Sequence, residues 1–161
     1  MLNDRILQTL VLAGTLLLAP LLHAASLPDF EASYELSLGS LRIGTSTVTL
    51  SSDADGGYLY ESSNIPTRLV AWFLKDQLHE TSRGTLSATA VRPDEYHYQR
   101  SGGRKERRSN LSFDWQDMTV ENRVEGSHWK MDIPPGTLDK LASQLAMMLA
   151  LQQGKTDVTF N

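Results

Sequence analysis

The stretch FEASYELSLGSLRIG, residues 30–44, decides how the chain reads. Phe30, Ala32, Tyr34, Leu36 and Leu38 alternate with Glu31, Ser33, Glu35, Ser37 and Gly39. Successive strand side chains point to opposite faces, so this pattern predicts a strand with one apolar and one wet face. Gly39-Ser40 supplies a two-residue hairpin turn into Leu41. The return strand then changes phase: Leu41 and Ile43 occupy odd positions, Val48 and Leu50 even ones. Four apolar side chains can share a face across that shift only if an extra residue is inserted, which predicts a bulge or bend at Gly44. Bulges bend strands, so the expected sheet is curved.

The pattern continues outward. Asp53 to Gly57 forms a turn cluster, and Tyr58-Leu59-Tyr60 returns as a strand. A strand is expected over 78–88, weakened by Gly84, followed by alternation at Tyr96 and Tyr98 and a turn at Ser101-Gly102-Gly103. Further strand material carries Leu111, Phe113 and Trp115, then Val120 and Val124, then Trp129, Met131 and Ile133. After Pro134-Pro135-Gly136 the period changes. Leu138, Leu141, Ala142, Leu145, Met148 and Leu149 follow spacings of three and four, which predicts an amphipathic helix over 138–152 with Thr137 as its N-cap and Gly154 as its stop. The fold class is therefore mainly β: a curved antiparallel sheet, or partial β-barrel, with one amphipathic α-helix near the C-terminus.

The N-terminal segment has a different character. Arg5 precedes a mostly apolar run, Ile6 to Leu22, and His23-Ala24-Ala25-Ser26 supplies small residues for cleavage. This is the pattern of a secretory signal peptide over 1–25, followed by a single β-rich domain over 26–161. It places the protein in the periplasm, with no stable membrane span after cleavage. The chain of 161 residues contains no Cys, which excludes a disulfide scaffold and a lipid anchored through a thiol. Its net charge of −4 argues against non-specific nucleic-acid binding by the whole domain. Asp157 to Asn161 reads as the opening of a further strand, and we expect the domain to be C-terminally incomplete.

Several segments taken in order resemble a known family. They are Phe30-Glu31-Ala32-Ser33-Tyr34 leading to Leu41-Arg42-Ile43-Gly44, the Gly-Gly-Tyr-Leu-Tyr segment at 56–60, and Val91-Arg92-Pro93-Asp94-Glu95-Tyr96. A basic hairpin into Phe113-Asp114-Trp115 and the Leu-rich helix after Thr137 complete the set. This order resembles the bacterial exported family called domain of unknown function 3108. The resemblance implies further strands after the helix, in line with the expectation that the domain is incomplete, and it supplies no activity or catalytic residues.

Chemistry is sparse. His79, His97 and His128 lack the spacing of a zinc site. No Gly-x-Ser-x-Gly elbow or phosphate loop occurs, and no cofactor is implied. Two features stand out. Arg100, Arg104, Lys105, Arg107 and Arg108 flank one hairpin tip on an acidic chain. They read either as a site for an anionic group or as a solvated hairpin that discourages edge pairing. The run Leu69 to Leu74, with Trp72 and Phe73, reads either as a lid or membrane-touching loop or as a buried core segment.

The leading expectation is a non-enzymatic periplasmic binding or envelope-maintenance protein. Trp72 and Phe73 would meet an apolar or amphipathic, lipid-like ligand, or an envelope protein. Arg104, Lys105, Arg107 and Arg108 would meet an anionic group. The alternatives are a partner module using an exposed sheet edge and a hydrolase whose site is assembled across strands. Intact-mass measurement of the protein recovered from the periplasm is expected to show a chain beginning at Ser26; retention of Met1 would overturn the signal-peptide reading.

Overall fold

The computed structural model describes residues 27–72, 75–124, 126–155 and 157. The signal segment expected at 1–25, Phe73, and most of the strand opening expected at 157–161 lie outside the described residues.

Eight strands form one antiparallel sheet in sequence order. They are β1 (Phe30–Leu38), β2 (Leu41–Ser52), β3 (Gly57–Pro66), β4 (Gln77–Leu86), β5 (Val91–Ser101), β6 (Arg107–Asp114), β7 (Thr119–Val124) and β8 (Ser127–Asp132). Every strand pairs with its chain neighbour, and the sheet is not closed into a barrel. A short helix, α1 (Arg68–Ala71), lies between β3 and β4. The longer α2 (Lys140–Gln152) follows β8 near the C-terminus. Fold class and helix position therefore agree with the sequence reading, with α1 as an addition.

The phase change in β2 has the expected origin. Leu36 pairs with Gly44 and Ser37 with Arg42, so Ile43 is the inserted residue. A second shift at Arg83/Gly84 lets Gly84 pair with Pro93 and Arg83 with Glu95. A Cβ on Gly84 would lie 2.0 Å from the Arg92 carbonyl oxygen, so the backbones approach there only because the side chain is absent.

One face of the sheet carries α2. Leu141, Ala142, Leu145 and Leu149 are buried against Leu50, Tyr58, Tyr60, Leu86, Val91 and Tyr96. Phe30 meets Tyr60 with ring centroids 6.2 Å apart, and Leu27 closes the same cluster. Gly154, at φ +75°, ends the helix as expected, where Lys155 N donates to Ala150 O at 3.0 Å. The helix begins two residues later than the spacing suggests. Asp139, not Thr137, is the N-cap: its Oδ1 accepts from Leu141 N at 2.8 Å and Ala142 N at 2.9 Å. The Thr137 hydroxyl instead donates to Pro134 O within the preceding turn.

Polar side chains join the helix start to the sheet. Asp139 Oδ2 accepts from Ser82 Oγ at 2.7 Å, and Tyr58 Oη lies 2.8 Å from the same Oγ. The Ser82 proton is committed to Asp139, so Tyr58 donates to Ser82. Beside this relay, Glu80 is only 1% exposed. Tyr96 Oη donates to its Oε1 at 2.5 Å, and Lys140 Nζ donates to both oxygens at 2.7–2.8 Å. Burial pushes the Tyr58 and Tyr96 hydroxyls above their ordinary range, so both stay protonated and serve as donors. Burial also raises Asp139, against the pull of the Ala142 amide, Ser82 and the Leu141 amide. No buried side-chain polar atom among the described residues lacks a hydrogen-bond partner.

The helix covers only part of its face. Tyr34, Leu36 and Leu38 of β1 are exposed, although alternation predicts a buried face along the whole strand. The reason is reach: α2 packs on β3, β4 and β5 and leaves the far half of β1 uncovered.

Removing one member of the Glu80 group should cost more than removing all of it. Lys140→Met is expected to destabilise the fold by about 1–3 kcal/mol, because it strands a buried carboxylate. The triple change Glu80→Leu, Tyr96→Phe, Lys140→Met is expected to cost less than that single change in urea denaturation. A triple variant worse than the single one would show that the group stabilises the fold outright.

Candidate cationic cleft

Antiparallel order brings four connections to one end of the sheet: the turns β1–β2, β5–β6 and β7–β8, and the β3–β4 connection with α1. The two segments singled out in the sequence meet at this end. Arg104, Lys105 and Arg107 share a cleft of about 730 Å³ with Trp72, Lys75 and Asp76. A neighbouring cleft of about 710 Å³ lies along Pro66, Arg68 and Ala71. Trp72, Lys75 and Gly102 line both, so a cationic hollow and a more apolar one share a wall.

Local sequence explains the arrangement. Helix α1 lacks a side-chain cap and buries none of its residues. It is tethered by Thr67, whose amide donates to Ile43 O at 2.9 Å. Leu69 is 75% exposed and Trp72 85% exposed. The buried-core reading of the 69–74 run therefore fails at both positions, because α1 sits beyond the end of the sheet. Phe73 lies outside the described residues.

The segment after Trp72 is fastened to the β5–β6 turn. Asp76 pairs with the Arg100 guanidinium, and this pairing raises the pKa of Arg100 further. A Cβ on Gly102, at φ +84°, would lie 2.2 Å from the Lys75 carbonyl oxygen. Only glycine allows both this turn and that approach.

The charge distribution is uneven. Arg100 and Arg107 stand directly opposite each other in the β5–β6 ladder, a like-charge pairing that is unfavourable without an anion. Asp76 answers Arg100. The side chains of Arg104, Lys105 and Arg107 have no ion-pair or hydrogen-bond partner among the described residues. Arg108 does not join them. It pairs with Gln99 in the ladder, points to the opposite face from Arg107, and lies 3.5 Å from Glu106. The cleft thus holds one carboxylate against Lys75, Arg100, Arg104, Lys105 and Arg107. Lys75 and Asp76 lie far in sequence from the basic hairpin, and no local signal links them to it.

Two other groupings bear on catalysis. His97 lies 3.5 Å from Glu95, and His128 contacts Glu121. His128 and Arg123 hold the Glu121 carboxyl below its ordinary range. Both pairs are on open strand surface, and Ser127 faces away from its neighbour His128, as alternation requires.

Asp76→Asn is expected to lower the melting temperature by about 2–4 °C at low ionic strength, because Arg100 and Arg107 then face each other unscreened. Added salt or inorganic phosphate should restore it. An unchanged melting temperature at low salt would show that Asp76 does not neutralise this pair.

A family model described as "Protein of unknown function (DUF3108)" matches residues 33–161. Neither the search of curated proteins nor that of solved structures returned a match. With the match running from β1 through α2, the chain belongs to the DUF3108 family.

Proposed function

We propose that this is a non-enzymatic binding protein of the periplasm whose ligand is a small amphipathic anion. The observation that carries the reading is the convergence of an exposed Trp72 with Arg104, Lys105 and Arg107, cations without partners, on one cleft. The anionic group sits among the three cations, where charge-assisted hydrogen bonds form without a competing carboxylate. The apolar part runs past Trp72 into the neighbouring hollow along Pro66 and Ala71. Asp76 stays on Arg100 and screens it, so the ligand needs only one anionic centre.

A second reading has its own support. Strands β1 and β8 are the sheet edges, and β8 exposes Trp129 and Met131. A partner strand could add there by main-chain pairing.

Native mass spectrometry of the protein recovered from the periplasm, with solvent extraction, tests for a retained amphiphile. Titration with an alkyl phosphate kept below its micelle concentration tests the cleft directly. Trp72→Ala is expected to weaken binding roughly tenfold. Replacing Arg104, Lys105 and Arg107 by Ser is expected to abolish the salt dependence of binding. Equal affinity in the native chain and both variants would overturn the cleft. Cross-linking to a protein through β8 would favour the edge reading.

A further inference from the structure

We infer that the end of the sheet bearing α1 and the β5–β6 turn docks on an anionic lipid bilayer. The inference rests on the proposed cationic end but not on its cleft. Its main support is the placement of exposed apolar side chains. Leu38 and Leu41 flank the β1–β2 turn, Ile65 is the penultimate residue of β3, and Leu69 and Trp72 lie on and beside α1; all are exposed large hydrophobic residues. All of them lie at the same end of the sheet. Ile43 O accepts from Thr67 N, tying the β1–β2 hairpin to α1, and Gly102 abuts Lys75, tying the segment after Trp72 to the basic turn.

Charge identifies the occupant. An apolar rim on its own would fit a second copy of the chain or any greasy surface. Here Arg42 and Arg68 stand among the apolar residues, and Lys75, Arg104, Lys105 and Arg107 continue the edge. Arg42 is engaged by Glu35 at 2.8 Å, whereas the others have no partner among the described residues. The chain as a whole is acidic, at −4, so two copies would repel over most of their surfaces while this end alone is attracted to an anionic plane. Exposed Leu and Trp side chains interleaved with Lys and Arg are the composition of an interfacial anchor: the apolar groups enter the headgroup boundary and the cations meet phosphates. Among the described residues no helix is long and apolar enough to cross a membrane.

Co-sedimentation with phosphatidylcholine vesicles, with and without phosphatidylglycerol, tests the inference. The chain has no Cys, so a Leu69→Cys variant carries one environment-sensitive label. A Thr89→Cys variant, labelled at the opposite end of the sheet, is the control. The protein is expected to pellet with phosphatidylglycerol vesicles at low ionic strength and to be released by salt, with a blue shift at position 69 and none at position 89. Each cation near an anionic surface is worth about fivefold in partitioning, so Gln at positions 104, 105 and 107 together should weaken it about a hundredfold. Leu38→Ser with Leu69→Ser should weaken it about tenfold. That variant should bind the monomeric alkyl phosphate as the native chain does, which separates a failure of docking from a failure of the cleft. Three results would overturn the inference: no pelleting with phosphatidylglycerol vesicles, equal pelleting with neutral ones, or a shift at position 69 driven by protein concentration alone, which marks a second copy on the rim.

Discussion

A carboxylate cut off from water at the centre of the sheet constrains the rest of the molecule. Glu80 is stable there only while Tyr96 and Lys140 hold both its oxygens. Lys140 is the first residue of α2, so the charge fixes where the helix starts as well as where it lies. Asp139 next to it adds a second tie through Ser82 and caps the same helix. Apolar packing alone would let a helix slide along the inner face, since hydrophobic contact has no direction. The two carboxylates remove that freedom. They anchor the N-terminal end of α2 over β4 and β5, and Gln153 anchors the other end by donating to Ala88 O at 2.7 Å.

That placement divides the sheet into two working ends. Beneath α2 the apolar side chains cluster and the buried side-chain polar atoms are paired. Beyond α2 the same face runs out to the exposed Tyr34 and Leu36 and to Arg100 and Arg107, which border the cleft. Stability and recognition are therefore separable by position. Substitutions at the cationic end touch exposed side chains and leave the core intact, which is the usual relation between a rigid scaffold and the loops it carries. The Arg100–Asp76 pair, the close approach at Gly102 and the Thr67 contacts to Arg42 O and Ile43 O lend the recognition end rigidity from the ladder.

Much of this was legible in the chain, for local reasons. Alternation marks the strands, the phase change at Ile43/Gly44 marks the bulge, and the three-and-four spacing after Leu138 marks α2. The centre of β4 was not legible. Gln77 to Leu86 has little apolar alternation because its inward positions carry Glu80 and Ser82, polar groups buried by partners sixty and fifty-seven residues away. Alternation in β1 marks an apolar face, but burial depends on what lies opposite, and Leu36 and Leu38 are exposed because α2 packs on β3, β4 and β5. The basic hairpin and Trp72 were each visible in sequence. Their meeting was not, since it depends on strand order bringing residues 72–76 beside residues 100–107.

The order of pairing also bears on how the fold is made. Each strand pairs with the one before it, so the sheet can grow as successive hairpins while the chain emerges from its N-terminal end. The helix comes last. Until it arrives, Glu80 and Ser82 face water, which is where an unpaired carboxylate is most stable. Dehydration of the sheet centre is thus deferred to the final step and coupled to the delivery of Lys140 and Asp139. A chain halted before residue 139 would carry a hydrated acidic group in the middle of an otherwise greasy surface, which would oppose the premature stacking of half-made sheets.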